Sequence, residues 1–248
     1  MESTAAPQRI FIGGISGSIG SALAQRLHEQ GREVVGFSRR GGGELPAGVR
    51  AFQADARDSV AVERVFGQAE KVLGGIDAYV HAIGSVFLKP IHLMKDEEWD
   101  EVMATNLTSA FYASRSAVNR MRKARAGRIL FFSSAASRIG IGNHEVIASA
   151  KAGINGLTQA LAASCAPAGI RVNALALGLV ETHATAGIVS TEQAKKISQS
   201  MHPTGDIGHP EQVASFAQWL LSAEADWLTG QVLPFDGGLS AVLPKPRA

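Results

Sequence analysis

The stretch Gly140–Gly156, G-I-G-N-H-E-V-I-A-S-A-K-A-G-I-N-G, holds two side chains that could move a proton. His144 precedes Lys151 by seven residues, about two turns of an α-helix, so both can stand on one face. Imidazole titrates near neutrality and can donate a proton to a developing alkoxide or enolate. A nearby ammonium group would favour its neutral form. Between the two, four residues before the lysine, stands Ile147, whose hydrocarbon side chain can neither donate nor accept a proton. The plain alternatives are a helix-start histidine without chemistry and a lysine that snorkels to the surface.

A second segment could hold phosphate. Gly13-Gly14-Ile15-Ser16-Gly17-Ser18-Ile19-Gly20 separates the apolar run Arg9–Ile12 from a stretch of helical period, Ser18–Gln30. Glycines allow backbone angles and close approaches that a Cβ forbids, and a helix N-terminus offers N–H donors to an anion. A tight strand–helix turn without a ligand is the simpler reading of such a loop taken alone. Its place at the first strand-to-helix turn favours a dinucleotide. The next apolar run ends Gly36-Phe37-Ser38-Arg39-Arg40, with no acid to bond the ribose hydroxyls. Adjacent guanidinium groups suit a 2′-phosphate, which favours NADP over NAD; an exposed basic turn is the alternative.

These residues need a scaffold, and the chain supplies the pattern of one. Arg9–Ile12, Glu33–Phe37, Val49–Gln53, Asp77–His81, Arg128–Phe132, Arg171–Leu175 and Gln231–Phe235 read as strands. Ser18–Gln30, Ser59–Val72, Asp96–Ala124, His144–Ala166 and Pro210–Ser222 read as helices. That alternation predicts a single-domain, Rossmann-type α/β fold: a doubly wound parallel sheet of about seven strands with helices on both faces. The 248 residues suffice for one full core, and no linker splits them. Thr182–Met201, polar and rich in small residues, is the expected lid over a substrate cleft.

The balance of 24 basic and 22 acidic residues gives no electrostatic case for nucleic acid or an anionic membrane. Cys165, the one cysteine, excludes an intrachain disulfide and reads as a packed thiol. Met1–Pro7 lacks the basic flank and apolar stretch of a signal peptide, and no apolar run approaches a membrane span. A cytoplasmic protein is expected, with no metal site.

From Arg9 to Gly238 the chain resembles the short-chain dehydrogenase/reductase family. Its loop is similar to T-G-x-x-x-G-x-G, with Gly13 in place of threonine and Ser18 in place of the middle glycine. The resemblance implies cofactor contacts from Gly14, Ser16, Ser18 and Ile19, and from Asp55-Ala56 against adenine. Val80-His81-Ala82-Ile83-Gly84 stands where the family has N-N-A-G, and only Gly84 agrees in type and place; Ala82 and Gly84 would line the cofactor, while His81 and Ile83 replace an asparagine and an alanine. Asn106 matches the asparagine that organises a water chain behind the lysine, Ser134 the serine that bonds the substrate carbonyl, and Lys151 the lysine that holds the nicotinamide ribose. Taken singly, Asn106 could be a satisfied buried amide and Ser134 a strand-end turn residue. Ile147 occupies the place of the family's catalytic tyrosine. In the divergent enoyl-reductase branch the tyrosine precedes its lysine as Y-x6-K; here the sequence reads H-x6-K. Tyr79 is expected in the core, and Tyr112 on a helix face away from Asn106. Asn173–Thr182 is similar to N-x-x-x-P-G-x-x-x-T, with Leu177 for the proline; Val180 and Thr182 would fix the nicotinamide carboxamide. His183 reads as an exposed loop residue at the lid base.

The resemblance implies an NADP(H)-dependent reductase of a small molecule's carbonyl or activated C=C, assembled as a homodimer or homotetramer. A cleft bordered by Phe87, Leu88, Ile91 and Ile188 would take an apolar or mixed small molecule. Two other classes stay open. One is an NADPH-binding protein without turnover, which would explain Ile147, Ser18 and Leu177 together. The other is a cofactor-assisted lyase or epimerase.

Overall fold

The computed structural model describes residues 8–43 and 45–243; the expectation placed on Met1–Pro7 lies outside them. Seven strands, β1 (Arg9–Gly13), β2 (Glu33–Ser38), β3 (Arg50–Gln53), β4 (Ala78–His81), β5 (Gly127–Ser134), β6 (Ile170–Leu177) and β7 (Val232–Phe235), form one sheet. Its order is β3-β2-β1-β4-β5-β6-β7. Every pairing is parallel. The expected doubly wound architecture is present, and the strand ends differ from the sequence reading by one or two residues.

Consecutive residues of β1 show how the sheet divides two cores. Phe11 enters a cluster with Phe37, Phe66, Tyr79, Met121 and Phe131. Ile10 and Ile12 enter the other, with Leu23, Val80, Leu130 and Leu175. Side chains alternate across a strand, so a strand buried on both faces must be apolar throughout. Helices α2 (Ser59–Leu73), α4 (Ser109–Ala124) and α5 (Glu145–Cys165) cover the first cluster, while α1 (Ser18–Glu29) and α7 (Pro210–Leu220) cover the second.

Helix starts follow local chemistry. The Asp58 carboxylate accepts the N–H groups of Val60 at 2.8 Å and Ala61 at 3.2 Å, capping α2. Helix α3 (Asp96–Met103) has Lys95 at its cap, and the Glu98 carboxylate reaches back to the Lys95 N–H at 2.9 Å.

One sequence expectation is corrected. The predicted helix Asp96–Ala124 is interrupted by a π turn, Ala104–Thr108, between α3 and α4. The segment Thr182–Met201 contains α6 (Glu192–Met201), begun by the Thr191 hydroxyl accepting the Ala194 N–H at 3.1 Å. Among the described residues no helix is long and apolar enough to cross a membrane. The strand order reverses between β1 and β4, and a crevice opens at the carboxyl ends of the strands there.

Candidate active site

Three adjoining cavities form this crevice. The first, about 600 Å³, is bordered by Gly14, Ser16, Arg39, Arg40, Asp55 and Ala56. The second, about 290 Å³, runs past Ser18, Ile19 and Ala82 to Asn106, Ser134 and Lys151, with Val180 and Thr182 on its far side. Gly84 borders both. The third, about 150 Å³, brings His144 beside Ser134 and Ile147. Every candidate residue from the sequence therefore faces one continuous cleft, with His144 in the outer compartment.

The glycine loop is sterically determined. Gly14 has φ +80°, and a Cβ there would lie 2.5 Å from the Ala82 carbonyl oxygen. Its N–H bonds the Phe37 carbonyl at 2.8 Å, tying the loop to β2. No side chain caps α1, whose first turn also lacks acids. That leaves an end suited to an anion.

Arg39 and Arg40 are exposed at the mouth of the first cavity. Asp55 in the same wall is gripped by Arg57, with Nη2 to Oδ2 at 2.6 Å and Nε to Oδ1 at 3.0 Å. Arg57 also bonds Glu101 at 2.6 Å. The Arg57 guanidinium holds the Asp55 carboxyl below the usual carboxylate range.

The loss of a side chain at Gly13 has a structural counterpart. A Cβ at Gly13 would sit 2.5 Å from the Tyr79 hydroxyl oxygen, so the glycine makes room for that phenol. The phenol lies 2.8 Å from His81 Nδ1, His81 Nε2 lies 3.1 Å from Ser109 Oγ, and Ser109 Oγ donates to the Thr105 carbonyl at 2.7 Å. A hydroxyl has one hydrogen, so Ser109 must accept from His81 Nε2–H. His81 Nδ1 then accepts from Tyr79. The four groups form one directed chain from β4 to the π turn. Desolvation, aided by the Lys151 charge, lowers the His81 pKa to about 3, which keeps the ring neutral. Burial raises the Tyr79 phenol well above its ordinary value, and that side chain is fully buried. Tyr79 is thus a core residue, as its strand position implied.

The π turn carries Asn106. Its Nδ2 donates to the Val102 carbonyl at 3.0 Å and to Ser85 Oγ at 3.1 Å, while Oδ1 accepts the Ser85 N–H at 3.1 Å. A Cβ on Gly84 would lie 2.9 Å from Asn106 Oδ1 and 3.4 Å from Lys151 Nζ. The absence of a side chain at Gly84 therefore lets amide and ammonium share the same small space. Lys151 Nζ donates to the Phe132 carbonyl at 2.9 Å, and desolvation lowers its pKa to about 8.

Ser134 ends β5, and its Oγ accepts the Ala136 N–H at 3.2 Å, which leaves the hydroxyl hydrogen for a substrate oxygen. Neighbouring Ser133, which sequence reasoning missed, fixes α5 against β5. Its Oγ lies 2.6 Å from Asn155 Oδ1 and 3.1 Å from the Lys151 carbonyl. His144 flanks the start of α5, with Nδ1 2.8 Å from the Gly142 carbonyl. A carbonyl only accepts, so Nδ1 carries a hydrogen and Nε2 is the nitrogen free to exchange a proton. Ile147 is buried against Val102 and Val146, with Phe87, Met94, Trp99 and Met103 around it.

His202 was also missed. A Cβ on Gly178 would lie 2.8 Å from its Nε2, which accepts the Leu179 N–H at 3.1 Å; Nδ1 donates to the Ser198 carbonyl at 2.8 Å. This buried ring joins α6 to the turn after Leu177. Only the spacing of a histidine before Pro203 could have hinted at it.

Comparison with known proteins sets this geometry among relatives. The family model described as enoyl-(acyl carrier protein) reductase matches residues 14–240. The 3-oxoacyl-(acyl-carrier-protein) reductase FabG of Vibrio cholerae is 32% identical over 235 residues, 92% of this chain and 96% of that protein. The enzyme of the same description from Escherichia coli K12 is also 32% identical, over 94% of this chain and 97% of the relative. Among solved structures, ligand-free Thermoplasma acidophilum aldohexose dehydrogenase superposes with TM-score 0.89 at 29% identity, covering 97% of each chain. A putative short-chain alcohol dehydrogenase from Sinorhizobium meliloti gives TM-score 0.90 at 32% identity, covering 96% of this chain and 99% of that one.

Proposed function

The chain belongs to the short-chain dehydrogenase/reductase family of oxidoreductases, and from that premise we propose an NADP(H)-dependent reductase of a carbonyl, or activated C=C, in a small molecule. The observation that carries this reading is the continuity of the cleft from Arg39 and Arg40 to Ser134 and Lys151. The Gly14 cradle, which a Cβ would fill, and the uncapped start of α1 fit a dinucleotide.

The bound cofactor supplies the hydride. Ser134 donates a hydrogen bond to the substrate oxygen and stabilises the charge that develops there. Lys151, with a pKa of about 8, holds a proton at neutral pH and can lose it at modest cost. His144 in its doubly protonated form keeps Nδ1–H on the Gly142 carbonyl and gives its Nε2 proton to the alkoxide or enolate across the outer cavity, leaving the neutral ring to be reprotonated from solvent. Ile147 keeps this compartment apolar, which excludes water from the reacting face. Exposed Phe111 on α4 and the exposed Trp227 are apolar surface that a homo-oligomer would cover.

Titration with NADPH and NADH tests the cofactor assignment. Micromolar NADPH with NADH at least about tenfold weaker is expected from a paired guanidinium site. Equal affinities would remove the role of Arg39 and Arg40. In a carbonyl and enoyl substrate screen, His144→Ala should lower kcat by about 10- to 100-fold and change its pH profile. An unchanged profile would remove His144 from the reaction.

One observation favours a second reading, an NADPH-binding protein without turnover. Ile147, in the place where the sequence resemblance puts the family's phenol, is buried in an apolar cluster. Substrate-dependent NADPH oxidation at enzyme-like rates would exclude it.

A further inference from the structure

The first and second cavities share five lining residues: Gly17, Ala82, Ile83, Gly84 and His183. A dinucleotide reaching from Arg39 to Lys151 must pass this neck. The middle of such a molecule is a diphosphate, an anion with acceptors only, and it needs donors. Among the five shared residues, His183 alone has a polar side chain.

His183 is held in place from across the cleft. Its backbone N–H donates to Ser18 Oγ at 3.2 Å, and the same oxygen lies 3.3 Å from His183 Nδ1. These residues are 165 positions apart, one opening α1 and one at the base of the lid. Ser18 stands where the loop pattern that the sequence resembles has a glycine, so the clasp depends on a hydroxyl that a glycine there would not supply. With its oxygen accepting the N–H, the hydroxyl hydrogen is free to point at Nδ1. The ring then carries its own hydrogen on Nε2, a donor for the neck.

We propose that His183 is a cofactor-binding residue that donates to the diphosphate bridge of NADP(H), with Ser18 as the positioning residue that holds it there; this rests on the NADP(H) reading above. The Ser18 hydroxyl acts on the cofactor through the imidazole. His183 is thereby assigned to the cofactor, not to the substrate and not to an idle loop. Hydrogen bonds to charged groups are stronger than neutral ones, so the contact acts mainly on release of the nucleotide.

Stopped-flow displacement of NADPH, followed by its fluorescence, tests this without any substrate. Wild type, Ser18→Gly, His183→Ala and the double variant are compared. Each single change should raise the dissociation rate constant by about tenfold. The double variant should match the singles, because both remove one unit. Adenosine 2′-monophosphate, which reaches only the Arg39–Arg40 end, should keep its affinity within about twofold in all four proteins. Dissociation rates unchanged in the variants, additive effects, or an equal loss for adenosine 2′-monophosphate would each overturn the clasp while leaving the cofactor assignment intact. A wild type that binds NADPH with no measurable affinity would overturn both, and that outcome is read before any variant is made. Both side chains lie outside the two cores, and a melting curve for each variant separates unfolding from loss of the contact.

Discussion

By the resemblance read from the sequence, Gly13 stands in the place of a threonine and Ile147 in the place of a tyrosine, and the molecule treats the two positions in opposite ways. At Gly13 the missing side chain is replaced by another polar group, the Tyr79 phenol, which continues into His81 and Ser109. At Ile147 the missing phenol is replaced by hydrocarbon packed among Val102, Val146 and Trp99. In the floor of the cleft a buried polar group has to be satisfied, so a change of residue there needs a partner to change with it. An isoleucine needs no partner, and its neighbours can remain as they are. The floor of the cleft is therefore polar and internally bonded, whereas the wall at Ile147 is apolar.

Breaking the first half of that comparison gives the largest effect. Gly13→Ala forces a methyl against the Tyr79 hydroxyl and should lower unfolding stability by about 2–3 kcal/mol. In a Tyr79→Phe background the same substitution should cost under about 1 kcal/mol, because Phe37 and Ile83 are left as looser neighbours. Urea unfolding of the four proteins completes the cycle. Equal costs in both backgrounds would mean that the phenol does not occupy the space vacated at position 13.

Much of this architecture was legible in the sequence because it depends on period. Strands buried on both faces read as short apolar runs, and β1, β2 and β5 were located within a residue or two for that reason. The glycine loop was legible because only glycine tolerates φ +80° beside a carbonyl at position 14. The π turn at Ala104–Thr108 was not legible, since a shift in hydrogen-bond register leaves the helical period of side chains almost unchanged. Nor was the chain from Tyr79 to Ser109, whose members meet across β4 and α4, 28 residues apart at the His81–Ser109 link. The same holds for the pair of Arg57 and Glu101, 44 residues apart. Single residue types and local spacing are written in sequence; pairings across elements are not.

Lys151 sharpens the comparison at the boundary between the two walls. Its folded pKa of about 8 lies below the ordinary 10.5. The unfolded chain therefore binds more protons between those values, and stability rises as pH climbs through that window. Below about pH 8 the full penalty for burying the charge is present. Lys151→Met should be more stable than wild type by roughly 1–2 kcal/mol at pH 7, after discounting for its partly exposed side chain and lost bond to Phe132. That advantage should shrink toward pH 10 in thermal or urea unfolding. A pH-independent difference would mean that the ammonium is well solvated. An energetic burden carried at this one position, and removed with a loss of turnover, is what a functional charge looks like.

The second half of the comparison is tested by putting the phenol back. Ile147→Tyr introduces a longer side chain into the cluster of Val102, Val146, Met94 and Trp99, so stability should fall by about 1–2 kcal/mol. The ring would extend toward the space that Ile147 shares with Ser134 in both inner and outer cavities. There its hydroxyl can reach the same substrate oxygen as Ser134, with the Lys151 ammonium in the same cavity to favour the ionised form. Turnover should rise by about tenfold, equivalent to roughly 1.4 kcal/mol of barrier, and His144→Ala should then cost much less than it does in the wild type. That substitution pattern distinguishes a wall that lost its donor and recruited His144 from one that never needed a phenol. If Ile147→Tyr folds and binds NADPH but turns over no faster, the apolar wall is itself part of how this protein works, and the two positions differ in purpose as well as in polarity.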